Sequence, residues 1–413
     1  MSNTVIVGAG IIGCSTAYYL SQSSHTPAQN IHLVESNPEL FKCASGLAGG
    51  FLAADWFAPS VAPLGALSFR LHKRLADEHG GRDRWGYCRS TGTSLSQGSE
   101  DAVGGSGEDW LLNGTSRAQA AGETKPDESD VPSWLRLAEG ASLEVISRDH
   151  SVAQLDPMRL CKFLIAECKA RGVQVHHPAT VLSVSKDIKD ELASVRIADS
   201  DGSETDLPCS RLLLTCGAWT PKVFTTLFPR ATVKIPVSSL GGHSVLVRSP
   251  RWGAQQEAED KGCHAVFATD TLGFAPEVFS RLGGEIYIAG LNTATLQLPQ
   301  SAAEVGSKPE SLEQIKRVAK RLLGLSEEVD DLEVLRESLC FRPITSSGRP
   351  IVSRVPDAKL GGIKTRGGGD GGVFVSAGHG AWGISQSLGT GMVLCELLEG
   401  RPTSCDVKAL QLA

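Results

Sequence analysis

The order of apolar and polar positions divides this chain into three stretches. In the first, Thr4–Val7 is an apolar run of strand length, Ile11–Ser21 spaces its apolar residues as an amphipathic helix, and Ile31–Glu35 returns to a strand. That succession predicts a βαβ unit whose parallel strands are buried on both faces. Further on, Met158–Arg171 has helical spacing, Val173–His176 and Thr180–Val184 read as strands, and Arg211–Thr215 is again a continuous apolar run. The second stretch, from about 233 to 345, alternates apolar and polar residues, as in His243–Val247 and Glu285–Ala289, around one helix near Ser311–Leu323. Half-buried strands of this kind predict a separate, mainly antiparallel sheet. The third stretch restores a buried strand, Val373–Ser376, then a glycine turn and a helix from about Ser385 to Leu398. Periodicity fails over residues 92–132, where Gly, Ser and acids dominate, and this segment reads as a mobile surface insertion.

Composition changes the picture in three ways. At 413 residues the chain exceeds one ordinary core, so two connected domains are expected. A net charge of −6 and the lack of any basic run argue against a nucleic-acid partner. The 11 cysteines are odd in number and lack CxxC spacing, which favours reduced, buried thiols and a cytoplasmic location over disulfides or zinc. No signal peptide or transmembrane segment is predicted, so the Asn113 sequon is expected to be silent. No HExxH or GxSxG pattern points to a metal centre or a serine nucleophile.

Three glycine-rich elements carry the chemistry. Gly8-Ala9-Gly10-Ile11-Ile12-Gly13 joins the first strand to its helix, and Glu35, with Ser36 beside it, ends the next strand. In that context Gly8 permits the tight turn, Gly10 lets a pyrophosphate reach the helix N-terminus, Gly13 allows close packing, and Glu35 accepts from a ribose hydroxyl. A second cluster of small residues, with Ser45, Gly46, Gly49 and Gly50, offers backbone N–H groups to the same pyrophosphate or to a flat ring. The third, Gly378-His379-Gly380-Ala381-Trp382-Gly383-Ile384, can place N–H groups and a helix dipole against negative charge on a reduced flavin. His379 is read first as a hydrogen-bonded turn histidine and second as a proton-transfer group. Between the last two elements lies LCFRPITSSGRP, in which strand alternation sends Cys340 and Arg342 to one face while Pro343 marks an edge or a strand end.

Taken in order, GAGIIGCSTAYYL, the Ser45–Gly50 cluster, TCGAW, FRPITSSGRPIV and AGHGAWGI resemble the D-amino-acid oxidase superfamily of FAD-dependent enzymes, in particular its glycine oxidase and sarcosine oxidase branches. The resemblance covers nearly all of the chain outside 92–132. It implies an α/β fold with a Rossmann-like FAD-binding domain in discontinuous pieces, 1–75, 150–232 and 346–413, and a mixed, mainly antiparallel substrate domain at 76–149 and 233–345. It also implies that Val181 meets the adenine through its backbone, and that the Cys216, Gly217 and Trp219 stretch borders the cofactor, with Gly217 on the diphosphate side. Arg342 matches the arginine that pairs with a substrate carboxylate. Cys340 falls where sarcosine and fructosyl-amine oxidases bond the flavin and where glycine oxidases keep a small residue. Non-covalent FAD is the favoured expectation, with a bond through Cys340 as the alternative.

The implied activity is oxidation of the C–N bond of a small amine or amino acid by hydride transfer to flavin, with oxygen as acceptor. Hydrogen peroxide and a hydrolysing imine would be the products. A dehydrogenase, a glycated-amine oxidase and a flavin-binding interaction protein stand as alternatives.

Overall fold

Four side chains in a row, Thr4 to Val7, are buried on both faces, an environment that the interior of a parallel sheet provides. In the computed structural model, which describes residues 2–96, 131–148, 150–259, 262–268 and 273–412, this strand is flanked in parallel by Ile31–Val34 and Arg211–Leu214. Gln174–His176 extends the sheet on one side and Gly372–Ala377 on the other, both parallel. Ile351–Val355 closes it antiparallel, giving six strands. A small antiparallel sheet of Ala179–Lys186, Leu192–Asp199 and Glu204–Pro208 sits beside it.

The helix over Ile11–Gln22 departs from its predicted amphipathic character. Every residue from Ile11 to Tyr18 is buried, because Ser387–Leu398 and Pro157–Arg171 both pack against it. Small residues make this possible: a side chain on Gly391 would come within 2.6 Å of Ser15. What reads as a polar stripe of Ser15 and Thr16 is a close helix crossing, with the Thr16 hydroxyl returned to Ile12 O at 2.8 Å.

The second sheet runs Glu333–Ile344, Ser238–Arg248, Glu285–Thr293, Glu277–Arg281, Cys263–Ala268, Cys88–Ser96, Val152–Gln154 and Phe51–Ala53, with Ser142–Ser147 paired to Cys88–Ser96. Strand alternation separates its two faces. Val245, Val247, Val266, Val278, Ile286 and Ile288 pack with the helix Pro309–Leu323, while Leu246, Phe267, Phe279 and Tyr287 turn to the opposite side. Glu333–Ile344 lies at the sheet edge, where Pro343 leaves no ladder donor unpaired.

Residues 92–96 are not part of a surface insertion. They complete the strand Cys88–Ser96 inside the sheet, and Thr93 and Leu95 are buried, because small residues in TGTSL alternate well enough to pair. Residues 97–130, with Asn113, lie outside the described residues. The two sheets also exchange chain more often than the expected boundaries do. Phe51–Ala53 and Val152–Gln154, within the expected cofactor pieces, join the second sheet, whereas Ala76 and Trp85, within an expected substrate piece, belong to the core beside the first.

Candidate cofactor and substrate site

The turn after the first strand is built by steric exclusion. Gly8 adopts φ +98° and donates its N–H to Val34 O at 2.8 Å, and a Cβ there would stand 2.7 Å from Thr215 O. One turn later, a Cβ on Gly13 would fall 2.0 Å from Gly8 O. Gly13→Ala is expected to destabilise the fold by about 2 kcal/mol through this overlap and to lower flavin content, read by urea unfolding and by absorbance of the purified protein. The Ile11 N–H, at the helix N-terminus, donates to Ser45 Oγ at 2.9 Å. Glu35 is held from both sides: Oε2 accepts from Ala9 N–H at 2.9 Å and Oε1 from Asn37 N–H at 2.8 Å. A carboxylate so fixed faces the cavity where a ribose diol can reach it.

The second small-residue loop is gripped from behind by the other sheet. The Arg281 guanidinium, fully buried, donates to Ala48 O at 2.7 Å and to Gly49 O at 2.9 Å, and Gln154 Nε2 adds a bond to Gly49 O at 2.6 Å. Burial pulls the Arg281 pKa down from its ordinary value. The trans peptide then sends the Gly50 N–H away from these donors. Arg281→Met is expected to reduce stability by about 3 kcal/mol, since the charge-assisted bonds to both carbonyls vanish. Chemical denaturation and the rate of flavin release provide the check.

At the far end, the cavity wall is the inner face of the second sheet. Phe267, Phe279, Tyr287, Cys340 and Arg342 line it, and Trp382 closes it from the glycine turn. Arg342 Nη1 donates to Asn292 Oδ1 at 2.6 Å. Room for the brace itself exists because the neighbouring strand carries Gly242, whose Cβ would stand 2.5 Å from Asn292 Oδ1. Cys340 is buried, and burial pushes its thiol pKa up against the opposing pull of Arg342 and Arg336. His379 is buried as well, with Nε2 3.2 Å from Thr390 Oγ1, and burial lowers its pKa to about 4. The imidazole is therefore neutral at pH 7 and tied into the turn.

These ends belong to one cavity of about 780 Å³. Gly8, Gly10, Ile11, Ile12, Glu35, Ser36, Ser45, Gly49 and Gly50 line it, as do Val181, Cys216, Gly217, Trp219, Cys340, Arg342 and the run from His379 to Ile384. Gly13, Gly46 and Gly378 do not. Gly13 supports the turn. A Cβ on Gly46 would meet Phe41 O at 2.3 Å, and one on Gly378, at φ +84°, would meet Thr345 Cγ2 at 2.5 Å, so both are close-packing positions behind the wall. Sequence reading missed Asn37, Lys222, Glu277 and Tyr287, which also line the cavity. Only alternation within Glu285–Ala289 hinted at Tyr287; no local signal marked Glu277. Among the described residues no cluster of His, Cys, Asp or Glu is arranged to hold a metal ion, and no helix is long and apolar enough to cross a membrane.

A parallel sheet with a glycine turn, an acid at the next strand end and a long cavity roofed by a second sheet defines a dinucleotide-cofactor protein. The glycine cradle and the fixed Glu35 carboxylate fit the two ends of an adenosine diphosphate, and the aromatic compartment fits a flat ring. The chain belongs to the family described as FAD dependent oxidoreductase, whose sequence model matches residues 3–397. It is 25% identical to a Schizosaccharomyces pombe protein named as an oxidoreductase, over 99% of this chain and 97% of that one. In fold it is similar to glycine oxidase from Geobacillus kaustophilus, with a TM-score of 0.70 and 20% identity, covering 100% of this chain and 98% of that one. Iminodiacetate oxidase from Chelativorans sp. BNC1 superposes with a TM-score of 0.69 at 19% identity, covering 99% and 98% of the two chains.

Proposed function

We propose that this FAD-dependent oxidoreductase oxidises the C–N bond of a small amine or amino acid, with Arg342 binding the substrate carboxylate and oxygen as the final acceptor. The observation that carries the reading is the placement of a guanidinium, braced by Asn292, in the aromatic compartment at one end of a dinucleotide-shaped cavity. FAD bound in that cavity supplies the two-electron acceptor.

The chain's own residues position and shield. The forked donor of Arg342 orients a carboxylate and with it the α-carbon. Phe267, Phe279 and Trp382 exclude water from the reacting bond. Neutral His379 holds the turn and transfers no proton in this scheme. Cys340 supports non-covalent FAD, because a thiol whose pKa is raised by burial presents little of the thiolate that forms such bonds.

Anaerobic mixing of the yellow holoprotein with a panel of amino acids and N-alkyl amino acids tests the reading. Bleaching of the flavin by at least one of them, with peroxide released on admitting oxygen, is the expected result. A flavin that no amine reduces would overturn it. After acid precipitation, flavin should remain in the supernatant; colour in the pellet would instead establish the Cys340 bond.

A further inference from the structure

We propose that residues 299–304 form a latch over the cofactor cavity, fastened by Trp219 and Lys222, whose opening sets the rate at which FAD enters and leaves. The latch acts on the cofactor whatever the substrate, so it stands apart from the amine-oxidation reading.

Residues 294–308 carry the chain from Glu285–Thr293 in the second sheet to the helix Pro309–Leu323. Apolar contacts seat the connection on either side of its tip. Leu296 and Leu298 before it, and Val305 after it, pack with Ala218, Leu339 and Phe341. Leu296 finds its place over Gly241, where a Cβ would stand 2.8 Å from Leu296 Cδ1. The far end is fixed by the Lys308 N–H, which donates to His243 Nε2 at 3.1 Å. Between these anchors Gln300, Ser301, Ala302 and Ala303 cross to the segment that follows Arg211–Leu214 and line the cavity there.

Two side chains of that segment fasten the crossing. Trp219 Nε1 donates to Pro299 O at 2.9 Å, and Lys222 Nζ donates to Gln300 O at 3.1 Å and to Gln300 Oε1 at 2.5 Å. The tip keeps its own shape, because the Glu304 carboxylate accepts from the Gln300 N–H at 3.3 Å and from the Ser301 hydroxyl at 2.9 Å. Gln300, Ala303 and Glu304 are exposed, so the hold on the tip is polar and the tip can lift as a unit while Leu296 and Leu298 stay seated. Both fastening contacts run from chain to chain and neither includes the cofactor. Each must therefore break for passage in either direction. A side chain that gripped FAD directly would behave differently, since its loss speeds release alone.

The test measures FAD exchange in the full chain. Quenching of flavin fluorescence follows uptake of FAD by protein stripped of flavin, and its return on dilution of the holoprotein follows release. In Lys222→Met, which removes charge-assisted bonds to an exposed turn, both rates should rise by roughly tenfold, while the affinity they define shifts by less than about threefold. Trp219→Phe keeps the ring and loses the donor, and should raise both rates by roughly fivefold. Lys222→Arg, which can still donate to the Gln300 carbonyl, should bring both rates back towards those of the parent. Hydrogen exchange on the holoprotein gives a readout that needs no stripping: the backbone amides of Ser301 to Val305 should exchange roughly tenfold faster in Lys222→Met. Faster release with unchanged or slower uptake would make Lys222 a direct contact to the cofactor and overturn the latch. Parental exchange rates for both FAD and these amides in Lys222→Met would overturn it equally, and either result leaves the amine-oxidation reading untouched.

Discussion

Arg342→Ala is expected to lower kcat/KM for a carboxylate-bearing substrate by roughly a thousandfold while the protein stays yellow. Truncating one member of a buried charged pair removes roughly 2–5 kcal/mol, and about 4 kcal/mol corresponds to that factor. The loss should fall on carboxylates specifically. An amine with no carboxylate never uses the guanidinium, so its rate should change far less, and the ratio of the two substrates isolates the clamp from general damage. Arg342→Lys should recover only part of the loss, because an ammonium keeps the charge but not the planar fork that Asn292 braces. Equal losses for both substrate types would remove Arg342 from substrate binding. Flavin reduction under stopped flow, with flavin content measured on each variant, gives the answer.

Acid should destabilise the fold steeply through two histidines that take no part in the proposed reaction. His72 and His379 are both buried, and burial lowers each pKa from 6.5 to about 4. His72 Nε2 lies 3.0 Å from Ile384 O and 3.4 Å from Ser387 Oγ, and His379 is tied to Thr390, so both rings help pin the glycine turn and the helix behind it. Because each folded pKa lies below its unfolded value, the unfolded chain binds more protons between these values. The stabilisation is complete above about pH 6.5 and is lost as pH falls towards 4. Each ring accounts for roughly 3 kcal/mol over that interval, at 1.36 kcal/mol per pH unit. Urea unfolding at stepped pH should show the loss, and replacing His72 by Gln should flatten the slope by about one proton's worth. A stability flat from pH 7 to 4 would mean that neither ring is held neutral.

Much of the cofactor side was legible in the chain before folding. Gly8 needs a positive φ, Gly13 needs the absence of a Cβ, and Glu35 must end the following strand, and these are demands made within a few dozen residues of one another. The same kind of local reading misjudged the helix Ile11–Gln22, since small polar residues look solvent-facing until a second helix covers them. It also took Gly46 and Gly378 for ligand contacts, although the Phe41 carbonyl and the Thr345 methyl are what exclude their side chains. Nothing within TGTSL distinguishes the end of a buried strand from the start of a loop.

The sequence by itself determined the dinucleotide turn, the order of the glycine elements and the placement of Cys340 and Arg342 near one another. Short-range backbone geometry and strand alternation suffice for these. Only the tertiary structure decided that Arg281 holds the Ala48–Gly49 loop, that Gly242 leaves room for the Asn292 amide that braces Arg342, and that Glu277 and Tyr287 enter the same compartment. Those relations depend on which strands become neighbours and in what register. Contacts between residues far apart in the chain set both, and no local pattern encodes them.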